Sequence, residues 1–177
     1  MAAIDVGAAA VDREDSLAFG NTYIGKENPA NLGGKITKVA VWILGNAVGV
    51  KAAIFQNTSG DIFTARDSQL LGDLGVGYHE IAVDLDVEAG DYIGVFVSDA
   101  GAGKVVRDLS GEGYWYLEGD QTACTDTTFT WTADRTISAY GTGGTLGGWS
   151  GKIAGVTNPV KIMGVAKEDI SKVKGVV

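Results

Sequence analysis

With 177 residues, 45% of them hydrophobic, the chain has the size and apolar content of one globular domain; its 27 glycines follow no period, which excludes a collagen-like repeat and points to many tight turns. The net charge of −8 is split, since 20 Asp+Glu against 9 Lys+Arg through residue 150 give −11, while 5 Lys against 2 acids from residue 151 give +3. An acidic body repels phosphate backbones, and the basic end is too short and too apolar for a nucleic-acid arm, so nucleic acid is excluded as a partner.

The amino end, "MAAIDVGAAAVDRED", has no basic start and only a short apolar stretch broken by Asp5, so it does not read as a secretory signal. "AIDVGAAAVD" reads instead as an edge or swapped strand. "KITKVAVWILG" places Ile36, Lys38/Val39, Val41 and Ile43 in alternation within a β-branched context and stops at Gly45-Asn46. "GVKAAIFQNTSGDIFTA" holds two strands around a hairpin-type turn cluster. "FTARDSQLLGDLG" has some helical character and reads equally as a loop. In "HEIAVDLDVEAGDYIGVFVSD", Ile81, Val83, Leu85 and Val87 share one face, and "EAGD" turns the chain into a further strand. Strands follow at "KVVRD", "GYWYLEG", "TTFTWTA" and "TISAYG". About ten short strands without an amphipathic helix between them predict an all-β fold, an antiparallel β-sandwich of jelly-roll type. Residues 1–141 form that body, 142–151 a glycine-rich linker and 152–177 a short C-terminal repeat appendage. No apolar run approaches the ~20 residues that span a bilayer, so no membrane partner is expected.

Candidate chemistry is sparse. A serine or cysteine device would have to run through His79, the one histidine, whose neighbours Tyr78 and Glu80 give no nucleophile signature, and there is no G-x-S-x-G element. The chain therefore reads as non-enzymatic. Cys124 is alone, which excludes an intrachain disulfide and a multi-cysteine zinc site; it reads as a small buried or rim residue. Asp84, Asp86 and Glu88 fall at i, i+2, i+4, with Asp91 after the turn, and such oxygen ligands suit Ca²⁺. Same-face neighbours on a strand lie about 7 Å apart, too far for all three to grip one ion, so the competing reading is a solvated outer face and no cofactor. Asp120 and Asp126, or Asp12, Glu14 and Asp15, form weaker metal sets.

"GYWYLEGD" brings Tyr114, Trp115 and Tyr116 beside Glu118 and Asp120, with alternation sending the tyrosines to one face and Trp115 to the other. Exposed aromatics stack on sugar rings and carboxylates bond the hydroxyls, so this run is the candidate glycan contact; the competing reading is core and edge packing. That competing reading is strongest for Trp42, which lies in an apolar strand.

The end of the chain repeats one phrase, Lys-[Ile/Val]-x-Gly-Val, at residues 152–156, 161–165 and 172–176. Ile153, Val156, Ile162, Val165, Ile170, Val173 and Val176 supply apolar contacts, and Gly155, Gly164 and Gly175 the bends. So small a segment cannot bury its own Ile and Val, which predicts docking on its body, sister subunits or a partner.

The series "TYIGKENPANLGGKITKVAVW", "AGDYIGVFVS", "GEGYWYLEGD" and "ISAYGTGG" resembles jelly-roll-type β-sandwich modules of phage and prophage structural proteins. The tail, with "KIAGVTNPVKIMGV" and "ISKVKGVV", is similar to short C-terminal repeats that close phage virion and tail-associated proteins. The resemblance implies a virion-associated structural part (decoration, fibre or tail-associated) that assembles in the host cytoplasm with sister subunits and other virion proteins. A carbohydrate-binding module in host or surface adhesion is the alternative.

Overall fold

A computed structural model describes residues 2–145 and, beyond them, the backbone of four two-residue strands within 152–166. The body strands are β1 (Ala3–Ala8), β2 (Asp15–Ser16), β3 (Asn21–Gly25), β4 (Gly34–Leu44), β5 (Ala47–Ser59), β6 (Ile62–Leu74) and β7 (Gly77–Val87). They continue as β8 (Tyr92–Phe96), β9 (Lys104–Asp108), β10 (Tyr114–Glu118), β11 (Thr127–Thr128), β12 (Thr130–Thr132), β13 (Thr136–Ile137) and β14 (Ala139–Gly144). All pair antiparallel, in two seven-stranded sheets, so the all-β expectation holds.

The first sheet forks at β4. One edge of β4 pairs with β7, while its other edge carries β14 beside Lys35–Val41 and then β9 beside Ile43 and Leu44. From β14 the sheet continues to β1, and from β9 to β2 and β13. The second sheet runs β11-β6-β5-β8-β3-β10-β12. Ile36, Val39, Val41 and Ile43 of β4, with Val83, Leu85 and Val87 of β7, face Ala52, Ile54, Ile93 and Val95 of the second sheet in one core. Each of these larger side chains, removed from water, contributes roughly 1.5–3 kcal/mol. The break in alternation after Ile36 has a structural cause: the β4–β7 register slips between Ile36 and Lys38, a bulge that returns Val39 to the core.

Open sheet edges expose unpaired backbone groups, and two of them are covered by side chains. Along β1, Asp5 N donates to Asn31 Oδ1 (3.3 Å), and Asn31 Nδ2 donates to Ala3 O (3.3 Å). Along β7, Asp84 N donates to Gln69 Oε1 (3.0 Å) and Asp86 N to Asp67 Oδ2 (2.9 Å), both acceptors lying on β6. This suture joins the two sheets down one side and brings the strands close to a closed barrel.

Two readings are corrected. The stretch "FTARDSQLLGDLG" is the long strand β6, neither helix nor loop. The Ser59/Ile62 hairpin zips it onto β5 from Ala47↔Leu74 downward, and that pairing outweighs the weak helical preference of its Gln and Leu residues. Trp42 is half-buried on the outer face, in register with the exposed Tyr78, because Val41 and Ile43 take the inner positions. The strand β14 continues to Gly144, and Thr145 N donates to Ala2 O (3.0 Å), so the first residues of the glycine-rich stretch belong to the body's sheet.

The outer face of the second sheet carries a smaller core of Ile24, Ala53, Phe55, Phe63, Trp115 and Phe129, roofed by the segment between β10 and β12. Cys124 lies in that roof, half-buried, its Sγ 3.7 Å from Phe63 O.

Candidate functional site

Opposite the β6–β7 suture, β2 and β9 of the first sheet stand apart from β3, β10 and β12 of the second, and a cleft of about 400 Å³ opens between them. Its floor comes from strand alternation. Tyr114 and Tyr116 leave the inner face of β10, and the register sets Tyr116 directly beside Tyr23 of β3. Tyr23 stacks on Tyr116 (centroids 6.1 Å, 25° between planes) and meets the edge of Tyr114 (5.3 Å, 85°). Tyr23 and Tyr114 are buried, and Tyr116 keeps part of its ring in the cleft.

Polar groups fix these rings. Asn21 Nδ2 donates to Tyr23 Oη (3.2 Å), and Arg107 Nη1 donates to Tyr114 Oη (2.6 Å). Arg107 also donates from Nε and Nη2 to Asp15 Oδ2 (3.0 and 2.9 Å). Burial raises the Tyr23 phenol above its ordinary value, so it keeps its proton at neutral pH. The Ser16 amide first, and then Arg107, hold the Asp15 carboxyl below the usual range, which makes it the standing counter-charge of Arg107. Burial works most strongly on Arg107, against its charge, and Asp15 and Tyr114 together outweigh it, leaving the guanidinium raised. Lys104, at the start of β9, has its Nζ 5.7 Å from the Phe19 ring centroid and makes no ion pair among the described residues. No protein-family model matches this chain, and no curated protein matches it.

Only two of the five residues singled out for glycan contact line this cleft, Tyr114 and Tyr116. Trp115 projects from the opposite face, 7% exposed, wedged among Phe63, Tyr92 and Trp131, with Nε1 donating to Asp61 Oδ1 (2.7 Å). Glu118 is exposed at the end of β10. Asp120 pairs with Lys51 (2.5 Å) and accepts from Thr122 N and Oγ1, so it organises its own loop. Asn21, Tyr23, Lys104 and Arg107 were not singled out from sequence, because they lie on strands remote in the chain that meet only when the sheets pack.

The four carboxylates of the calcium reading are held apart. Asp84 and Asp86 flank the Lys35 ammonium (3.0 and 2.9 Å), whereas Asp91 is 2% exposed and accepts from Arg66 and from the Glu88 amide. Among the described residues, no group of three His, Cys, Asp or Glu side chains converges as a metal site. His79 lies on β7 with Nε2 2.9 Å from Gly75 O.

In the tail, β15 (Lys152–Ile153) pairs antiparallel with β16 (Val156–Thr157), and β17 (Lys161–Ile162) with β18 (Val165–Ala166). Ile153 is opposite Val156 and Ile162 opposite Val165, so each Lys-Ile-x-Gly-Val phrase is one hairpin with x-Gly between its paired positions. Of the other assembly residues, Gly155, Gly164, Ile170, Val173, Gly175 and Val176 lie outside the described residues.

Proposed function

We propose that the chain is a non-enzymatic structural protein of a phage virion, with a jelly-roll-type sandwich body that its C-terminal repeats fasten to sister copies or other virion proteins. One observation carries the assembly part of this reading: the repeated phrase corresponds, twice over, to one self-paired hairpin. A single two-stranded hairpin is marginal in water at best, and these have two residues per strand, so they need a surface to order them. The +3 tail and −11 body favour contact between the tail of one copy and the body of another. The jelly-roll reading draws support from the path of the chain, which crosses between sheets at β2–β3, β3–β4, β4–β5, β6–β7, β7–β8, β8–β9, β9–β10 and β12–β13. Virion membership rests on the resemblance of body and tail to phage structural proteins.

Deleting residues 149–177 is expected to leave far-UV circular dichroism and the melting temperature of the body unchanged while abolishing assembly, read by light scattering beside the full chain. A truncated chain that reaches the same particle mass as the full one refutes the proposal.

A second reading, carbohydrate binding in adhesion, is favoured by the cleft, where the half-buried Tyr116 ring sits among hydrogen-bonding groups.

A further inference from the structure

The cleft's chemistry narrows the ligand. Its volume of about 400 Å³ falls within the range of small-molecule sites, roughly 300–1,000 Å³. Its lining includes two cations, Lys104 and Arg107, and no Asp or Glu, in a body where acids outnumber bases 20 to 9. Arg107 is already matched by Asp15. The charge left to meet a ligand is that of Lys104.

The phenols point the same way. Tyr23 Oη and Tyr114 Oη each accept a bond, from Asn21 and from Arg107, and neither donates one among the described residues. A phenol whose lone pair is engaged has its O–H left to give. The cleft therefore offers an ammonium and two phenolic protons as donors, and the Asp15 carboxylate behind Arg107 is taken. A neutral sugar can use the side-chain oxygens of Ser16, Asn21 and Thr132, but it leaves the Lys104 charge unmet. A sugar bearing a carboxylate supplies the acceptors, and its ring has the Tyr116 face to lie on.

We propose that this cleft binds a carboxylate-bearing sugar unit of a glycan, with Lys104 Nζ and the Tyr23 and Tyr114 hydroxyls as donors to the acid and Tyr116 under the ring. The inference rests on the carbohydrate reading and is independent of assembly through the tail.

The test is calorimetric titration of the full chain with methyl β-glucuronide and with the α-methyl glycoside of N-acetylneuraminic acid, each beside methyl β-glucoside as the neutral counterpart. Binding of at least one acidic glycoside over the glucoside, weakened about tenfold or more in Lys104→Gln, is the expected result. Lys104 is partly exposed, and an unchanged melting temperature verifies that the variant is folded. Equal binding of the neutral and acidic sugars, or acidic binding unaffected by Lys104→Gln, overturns the inference and leaves the carbohydrate reading standing. No binding of any of the three at millimolar concentration overturns both.

Discussion

Asp91 and Lys35 both hold ion pairs, and burial separates their worth. Asp91 is 2% exposed; Arg66 donates to both of its carboxylate oxygens, and the Glu88 amide closes the turn before β8 onto Oδ2. The bond to Asp91 raises the Arg66 guanidinium against the opposing effect of burial. Replacing Asp91 by Ala leaves a guanidinium and an amide without their acceptor in a packed place, and is expected to cost about 2–4 kcal/mol. Lys35 spans two carboxylates whose side chains are 78% and 61% exposed, where water and salt screen the attraction. Its replacement by Ala is expected to cost no more than about 1 kcal/mol. Urea unfolding of both variants measures the difference, and equal costs would show that Asp91 is not the anchor of that turn. Spacing alone gathers Asp84, Asp86, Glu88 and Asp91 into one set. The fold separates them because β7 alternation turns Asp84 and Asp86 outward, while the turn after Glu88 carries Asp91 in toward Arg66.

At the level of elements, legibility follows the contrast between faces. Strand β7 is readable because Val83, Leu85 and Val87 are buried and Glu80, Asp84 and Asp86 are exposed, a clean period of two. Strand β6 lacks that contrast, since most of its residues after Phe63 are partly exposed on either face, and its state is set by pairing with β5. The cleft is illegible for a different reason: Tyr23, Lys104, Arg107 and Tyr116 come from three strands and two sheets, and no local pattern marks their meeting. The suture between β6 and β7 was equally hidden, since Asp67 and Gln69 look like ordinary polar residues until they reach the β7 amides. It predicts a local effect. With Gln69→Ala the Asp84 amide loses its acceptor, and with Asp67→Ala the Asp86 amide does. Each is expected to exchange with solvent at least about tenfold faster, with amides in β8 unaffected. Nuclear magnetic resonance hydrogen exchange resolves the two sites, and unchanged rates at Asp84 and Asp86 would mean that the sheets are held together without the suture.

For the whole molecule, the stability of the body depends on pH through groups whose folded values are displaced. Three carboxyls are held below their ordinary values. Asp15 is lowered by the Ser16 amide and then by Arg107, and Glu80 by Lys38. Asp120 is lowered because bonds from Lys51 and Thr122 outweigh an opposing burial effect. A lowered carboxyl binds protons more readily in the unfolded chain. Its stabilising contribution is thus complete above the unfolded value of about 4 and is lost as pH falls through the folded one. Two ammonium groups are displaced upward, Lys35 by bonds to Asp86 and Asp84, and Lys38 by its bond to Glu80. Their contribution is complete below the unfolded lysine value of about 10.4 and is lost as pH rises through the raised folded one. Against the acid limb stands the mutual repulsion of a body carrying −11, which protonation of any carboxylate relieves. The specific pairs act at about 3 Å or less, whereas the repulsion is spread over a screened surface, so the pairs should win. Thermal melts from acid to alkaline pH are therefore expected to show a plateau around neutrality, a fall beginning below about pH 4, and another above about pH 10. Asp120→Asn should lower the plateau and flatten the acid limb, since it removes one of the three carboxyls that drive it. A melting temperature that climbs below pH 4 would assign the balance to net charge instead and take these pairs out of the account of stability.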